Sequence, residues 1–251
     1  MTIRVILGDC RTDLQDHGPF DMLLADPPYG DTSLSWDRRC DGWLEVAASL
    51  LRPTGSLWVF GSMRFFQDTG PNFKAAGFRY AQDIVWEKHN GSGFHADRFK
   101  RVHEHVTQYY LASSAWASVY NDVQKTLDAT PRAVRRKKRP THTGHIEASH
   151  YVSEDGGPRI MRSVIYMRSM HGRAIHPTEK PADLLEILIK NPTTGAVDIL
   201  TTKSVAATTP VPTLPSGFTL YRYIGSLLTN GSSQCHQKRC MLTSSATEKC
   251  K

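Results

Sequence analysis

Long apolar runs are missing from this sequence. No stretch of about 18 consecutive apolar residues occurs, which excludes a membrane-spanning helix. Met1 to Cys10 shows no basic segment followed by an apolar one, so no secretory signal is expected there. Cysteine is scarce: five in 251 residues, an odd number, with no Cys-x-x-Cys pair. This argues against a disulfide scaffold and a zinc ribbon, and a reducing, cytoplasmic setting is expected. No internal repeat is present. With 39% hydrophobic and 22% charged residues the composition is ordinary for a globular chain, so wholesale disorder is not expected. The length suits one large domain or two small ones around a sizeable core.

Acidic residues run out in one place. The chain carries 31 Lys+Arg against 24 Asp+Glu, a net charge of +7. Residues 1–200 are close to neutral. The last fifth holds Lys203, Arg222, Lys238, Arg239, Lys249 and Lys251 against Glu248 alone. It also holds Cys235, Cys240 and Cys250, no aspartate, and sixteen Ser/Thr. This shift marks a boundary near Leu200. A positive balance hints at a nucleic-acid partner, provided the charge sits where a ligand can meet it.

Strand and helix signals alternate along residues 1–200. Ile3–Leu7, Phe20–Ala25, Ser56–Phe60, Gln82–Trp86, Val106–Leu111 and Ala196–Leu200 are short apolar or β-branched runs that predict strands. Asp41 is placed to cap a helix reaching Leu51, with Pro53 and Gly55 ending it. A helix is predicted over Phe65–Ala76, around Gly70-Pro71. Thr178 is placed to cap another, with Pro181 in its first turn and Leu184, Leu185 and Leu188 facing inward; Asn191-Pro192 closes it. Residues 121–170 have no clean period. Such alternation predicts an α/β fold with a mostly parallel sheet covered on both faces. Trp58 and Trp86 are expected in core strands.

The second strand stops at Asp26-Pro27-Pro28-Tyr29-Gly30. Two prolines cannot continue a central strand, so these residues form a stiff loop at its carboxyl end, where α/β sheets bind ligands. An acidic acceptor, a carbonyl on a residue without an amide hydrogen, and an aromatic face lie within four residues. That set suits a planar ligand with an exocyclic amino group. A proline-rich turn with a surface tyrosine is the plain alternative; the strand before it favours the functional reading.

The loop and three further elements resemble the amino-directed DNA methyltransferases that use S-adenosylmethionine, in particular the adenine-N6 group with Asp-Pro-Pro-Tyr. Gly8-Asp9-Cys10 is similar to the family's strand end near the cofactor adenine. Arg101-Val102-His103-Glu104-His105-Val106 resembles its Arg…His-Glu segment. His176-Pro177-Thr178-Glu179-Lys180-Pro181 resembles its His-Pro-Thr-x-Lys-Pro element near the methionine end of the cofactor. With the catalytic loop early and the His-Pro-Thr element late, the order is that of the β-type arrangement, and it spans roughly residues 1–200.

The resemblance implies a Rossmann-like methyltransferase fold, incomplete at its C-terminus. It implies Asp26, Pro27, Pro28 and Tyr29 as the catalytic loop, and Asp9, Cys10, Asp26, His176, Thr178 and Lys180 around S-adenosylmethionine. Duplex DNA with a flipped adenine would be the substrate, and a restriction endonuclease is a partner it allows. Residues 1–94 would form the catalytic part, 95–170 the target-recognition region, 171–200 the cofactor-proximal helix and strand, and 201–251 an atypical tail. In the middle region Arg132, Arg135, Arg136, Lys137, Lys138 and Arg139 are expected on DNA phosphates, weighed against a solvated basic loop. A cytosine-N4 enzyme, an RNA-directed enzyme and a non-catalytic DNA-binding remnant are the other readings; Asp rather than Ser at position 26 argues against the first.

Weaker signals resolve blandly. His103 and His105 share a strand face near His95, but no third ligand has fitting spacing, so no metal is expected. His142, His145 and His150 read as surface. Cys10 reads as a buried small residue, not a reactive thiol.

One family element is absent. After Leu200 an acidic-Pro-Phe-x-Gly-x-Gly loop should follow; the chain reads Thr201-Thr202-Lys203-Ser204 instead, and Gly217, Gly225 and Gly231 stand alone. The expectation is a tail that is not the family's own half-site and lacks the pattern to complete the sheet, with Leu220 to Leu228 open to a short helix or strand. Weak cofactor binding and an exposed, poorly soluble sheet edge would follow. A frameshift, a fusion or a gene-model error near codon 200 would produce such a tail. Translating the other frames tests the frameshift.

Overall fold

The structure, a computed structural model, describes residues 2–7, 9–34, 37–92, 96–138, 142, 147–174, 178–190, 197–203 and 218–224, with 2–7, 197–203 and 218–224 as backbone alone. The chain runs β1 (Thr2–Leu7), α1 (Cys10–Asp13), β2 (Phe20–Asp26), α2 (Trp43–Leu50), β3 (Leu51–Gly61), α3 (Met63–Ala75), β4 (Phe78–Ser92) and β5 (Arg101–Leu111). Short strands β6 (Lys125–Thr126), β7 (Arg132–Arg136), β8 (Ser149–Ser153), β9 (Arg159–Ile160) and β10 (Val164–Tyr166) follow. Helix α4 (Ala182–Lys190) and strands β11 (Val197–Lys203) and β12 (Phe218–Ile224) come last.

Eight strands form one sheet in the order β1-β12-β11-β2-β3-β5-β4-β10. Only β5 runs antiparallel to its neighbours. The predicted mostly parallel sheet is therefore present. Alternation along the central strands, from Met22 and Leu57 onward, builds a core on each face, and the irregularity between Phe20 and Met22 leaves Phe20 out of step. Phe20, Leu23 and Ala25 of β2, with Leu57 and Val59 of β3, pack under α1, α2 and α3. Met22 and Leu24, with Trp58 and Phe60, pack with Trp86 and with Leu184, Leu188 and Ile189 of α4. The side-chain period of two in a strand sends neighbours to opposite faces, and both faces find a helix. Trp58 and Trp86 are buried, as expected.

Several boundaries differ from the sequence reading. The tail does contribute to the sheet: the backbone of Phe218–Ile224 lies between β1 and β11, paired in parallel with both. Its phenylalanine, tyrosines, threonine and isoleucine suit a pleated central position. A strand needs no glycine-rich loop to pair, so the missing loop was a poor guide to the sheet. The edge expected to be bare at this place is covered.

Helix α2 begins at Trp43 behind Gly42, whose φ is +85°, and not behind Asp41. Leu51 leaves it to pair with Phe20, and Ser56 pairs with Met22, so residues 52–55 bulge out of β3. Pro53 and Gly55 thus sit in a strand bulge. Gly55 presses on β2: an added Cβ would lie 2.7 Å from the Asp21 carbonyl oxygen. Gly55→Ala is expected to destabilise by about 1–3 kcal/mol, read as a lower melting temperature; an unchanged melt would refute the close approach.

Helix α3 is capped by Ser62, whose hydroxyl accepts from the Phe65 amide, and it continues through Pro71. Helix α4 starts at Ala182, with the Pro181 carbonyl accepting from the Leu185 amide. Thr178 therefore lies outside the cap position. Leu184 and Leu188 are buried and Leu185 partly so. Within 121–170 there is more order than the sequence suggested. β6 pairs with β9, β7 with β8, and β10 joins the main sheet beside β4. These pairings link distant residues, which no local period reports. Asn191-Pro192 lies outside the described residues.

Candidate active site

β2 is the strand from which the chain moves one way, to β3, while its other neighbour β11 continues the opposite way, to β12. Such a point, at the carboxyl ends of parallel strands, leaves a crevice that ligands fill. Asp26 is the last residue of β2 and stands level with Lys203, the last residue of β11. The sequence reading placed the chemistry at this same strand end.

A cleft of about 870 Å³ opens here, within the usual range for small-molecule sites. Asp26, Pro27, Pro28 and Tyr29 line it, with Lys88, Arg101, Glu104, Thr178 and Lys180. Asp26 uses one carboxylate oxygen for the protein. Its Oδ1 accepts from the Tyr29 hydroxyl at 2.9 Å and lies 3.0 Å from Lys180 Nζ. Among the described residues, no donor reaches Oδ2.

Lys180 is buried and carries two acids. Its Nζ donates to the Tyr29 hydroxyl at 3.3 Å and lies 3.2 Å from Glu104 Oε2. The Glu104 contact is close but outside hydrogen-bond geometry, so it acts as an ion pair. Glu104 also pairs with Lys88. Burial opposes ionisation of Glu104, but the charges of Lys180 and Lys88, with the Lys88 hydrogen bond, outweigh it and hold the carboxyl at about 2. Burial likewise opposes the Lys180 ammonium, and Asp26 and Glu104 overcome it, raising its pKa. Lys88 moves the other way: its burial outweighs the pull of Glu104. Lys180 is thus the cation that chiefly keeps Glu104 charged.

Tyr29 is not the open stacking face expected from the sequence. Its ring packs on Phe65 at 5.6 Å, with Lys180 Nζ 5.4 Å from the centroid. Burial, then the charges of Asp26 and Glu104, raise the phenol's pKa well above its ordinary value, so it remains a donor. A base can stack on Tyr29 only after Tyr29 or Lys180 moves.

The other expected residues divide. Asp9 caps α1, accepting from the Arg11 amide, and forms a 2.5 Å ion pair with the Arg11 side chain. The Arg11 hydrogen bond lowers its pKa, against partial burial. Cys10 is buried, and desolvation pushes its thiol up to about 12, which fits an inert packing role. Thr178 and Lys180 share the cleft with Asp26; His176 and Arg139 lie outside the described residues. Arg132 and Arg135 are exposed on β7, paired with β8, and Lys137 and Lys138 follow it, exposed. The cluster therefore begins on a strand ribbon and not in an irregular loop; the side chain of Arg136 is outside the described set. None of these basic residues lines the cleft.

Glu104 and Lys88 were missed as site residues. Glu104 sat inside a quoted motif, and its alternation with Val106 on β5 was the available signal. His103 and His105 contact each other edge to face, and His105 pairs with Asp83 at 3.3 Å. No group of metal-ligating side chains occurs among the described residues.

The described residues fit the reacting end of the implied cofactor. Asp26, whose Oδ2 meets no donor among the described residues, lines the cleft with Thr178 and Lys180. The wall after β11 falls outside the described residues.

Comparison with known proteins agrees with this geometry. A family model described as DNA methylase, of the N6/N4 type, matches residues 20–195. The type II methyltransferase M.HinfI of Haemophilus influenzae is 27% identical over 210 residues, covering 72% of this chain and 53% of that protein. The chain spans about half the length of that curated relative. Among solved structures, the M1.HpyAVI–SAM complex aligns with a TM-score of 0.55 at 19% identity, covering 89% of this chain and 94% of that one. The cytosine-N4-specific PvuII DNA methyltransferase aligns with a TM-score of 0.59 at 14% identity, covering 93% and 89%. At these identities the two structures show a shared fold.

Proposed function

The chain belongs to the DNA methylase family of the N6/N4 type, a family of S-adenosylmethionine-dependent enzymes, and we propose that its site methylates the N6 amino group of an adenine flipped out of duplex DNA. The observation that carries this reading is Asp26: a carboxylate at a sheet switch point with Oδ1 anchored by Tyr29 and Lys180 and Oδ2 left for a ligand. When bound, S-adenosylmethionine supplies an electrophilic methyl group on a sulfonium.

The amino nitrogen of adenine is a weak nucleophile because its lone pair is delocalised into the ring. Asp26 Oδ2 and the Pro27 carbonyl accept its two hydrogens and favour a more tetrahedral nitrogen with its lone pair localised. These bonds help the rate only as far as they strengthen in the transition state. Bound S-adenosylmethionine would supply the methyl group and keep the sulfur's electron pair, and the methylated nitrogen would lose its surplus proton to Asp26 or to water. Extruding the base costs a few kcal/mol. Stacking on a Tyr29 turned outward returns about 1–3 kcal/mol.

Arg132, Arg135, Arg136, Lys137, Lys138 and Arg139 would hold DNA phosphates away from the reacting centre, which positions the duplex without reading its sequence. The 95–170 segment remains our choice for target recognition. His176, Thr178 and Lys180 are assigned to the methionine end of the cofactor, and Asp9 and Cys10 to its adenine end. A restriction endonuclease partner and a cytoplasmic setting belong to the same reading. Cofactor affinity is expected to be low, because Thr201-Thr202-Lys203 does not lead into a Gly-x-Gly turn that lets backbone approach the ligand.

The experiment supplies isotopically labelled cofactor with duplex DNA and with RNA, and identifies the methylated base by mass spectrometry. N6-methyladenine in DNA is expected. N4-methylcytosine, label in RNA alone, or no label would each replace this reading. Calorimetry on the same sample should give cofactor binding weaker than micromolar; micromolar binding would overturn the low-affinity claim.

A further inference from the structure

We propose that Asp37 and Arg39 form a clamp that positions the Asp26–Tyr29 loop for transfer; its effect on catalysis rests on the function proposed above. Asp37 is a buried acid, 7% exposed, eleven residues beyond Asp26. It lines the same cleft, but its hydrogen bonds among the described residues go to residues 30–32. Its carboxylate is filled by the backbone that follows Tyr29. Oδ1 accepts from the Gly30 amide at 2.9 Å. Oδ2 accepts from the Asp31 amide at 3.0 Å, the Thr32 amide at 2.7 Å and the Thr32 hydroxyl at 2.7 Å. Burial works against the charge, and these bonds outweigh it and lower the pKa, so Asp37 is an ionised acceptor.

Two residues on, Arg39 takes a carbonyl of the turn, a group that an acceptor such as Asp37 cannot bind. Its Nε donates to the Tyr29 carbonyl at 2.7 Å. The far end of its guanidinium is tied to Asp68 of α3 at 2.7 Å. The stem lies against Gly30, whose missing Cβ would stand 3.4 Å from Arg39 Cγ. The clamp is thus fastened to a helix at one end and grips residues 29–32 at the other.

The need for it follows from the sequence. Pro27 and Pro28 fix two φ angles, but the stiffness ends there. Gly30 has φ +72°, a conformation in which glycine is free and others are strained. Without an anchor, this joint directly behind Tyr29 would let the loop swing. Tyr29 holds Asp26 Oδ1 through its hydroxyl, so a displaced Tyr29 turns the carboxylate too. A misplacement of about 1 Å at a reacting group can cost on the order of 100-fold in rate.

The plain alternative is that Asp37 only stabilises the fold. Asp37→Asn, Arg39→Ala and Arg39→Lys in the full chain separate the two. Asp37→Asn and Arg39→Ala should lower kcat by roughly 10- to 100-fold, with KM for S-adenosylmethionine and duplex Kd within about threefold. Amide hydrogen exchange over residues 29–32 should speed up while the rest of the chain stays protected. Arg39→Lys, which keeps a donor for the Tyr29 carbonyl, should recover much of the Arg39→Ala loss. Unchanged kcat, or kcat, KM and melting temperature all worsening together, would overturn the clamp. Should the unaltered chain transfer no methyl group, the proposed function fails and exchange alone decides: unchanged exchange at residues 29–32 in Asp37→Asn overturns the clamp, and local acceleration upholds it.

Discussion

Asp26→Ala is expected to abolish methyl transfer, a loss of about 10³-fold or more, while duplex affinity changes by less than about threefold. The size follows from what Asp26 does alone. It is the carboxylate that ends β2, and among the described residues no donor reaches its Oδ2. Removing it takes away an acceptor aimed at charge that develops only in the transition state, so binding in the ground state is spared. The variant should fold. Lys180 keeps Glu104 3.2 Å away and its bond to the Tyr29 hydroxyl, so the buried cation is not stranded. Asp26→Asn makes a useful companion. It preserves shape and one acceptor oxygen but loses the charge that holds Lys180, so an intermediate loss is expected. Normal transfer by Asp26→Ala would remove Asp26 from the mechanism and the site with it.

How far the sequence went can be read from single residues. Phe20 to Ala25 and Ser56 to Phe60 were legible because a short apolar run bounded by turn residues is a local signal, and they placed Asp26 correctly at a strand end. The two cores followed from the alternation of strands and helices. What was not legible is long-range. Lys180 meets Asp26 across 154 positions and Glu104 across 76, and no window on the sequence spans that. Tyr29 looked like an exposed aromatic because its partner Phe65 comes from α3. Gly55 was read as a helix stop, since Pro53 and Gly55 punctuate either way; only the pairing of Leu51 with Phe20 shows the bulge. β12 was left open, as a short helix or strand over Leu220 to Leu228, for a different reason. The missing glycine loop was allowed to speak for the strand after it, although pairing depends on backbone and apolar content. The motif elements located the charged groups, but not which oxygen of Asp26 is occupied.

Lys180→Met should be the most damaging single change to stability and to the site together. Methionine nearly fills the space of the lysine stem, so the effect isolates the charge. Asp26 and Glu104 then face each other without the cation they share, and breaking a buried ion pair from one side costs about 3–5 kcal/mol. Transfer should fall with it, because Asp26 Oδ1 loses one of its two anchors. The dependence on pH gives the sharper test. Glu104 ionises at about 2 against an ordinary value of 4.5, a difference of roughly 3 kcal/mol. A lowered carboxyl contributes stability that is complete above the unfolded value and is lost as pH falls from about 4.5 through about 2. In Lys180→Met the main cause of the depression is gone, and burial and Asp26 drive the Glu104 carboxyl upward. The variant therefore has less to lose on acidification. Its melting temperature should lie well below that of the unaltered chain at pH 7, and the gap should shrink steadily between pH 4.5 and pH 2.5. A gap that is constant with pH would mean that Lys180 stabilises by packing alone, and the shared-cation account of Asp26 and Glu104 would be wrong.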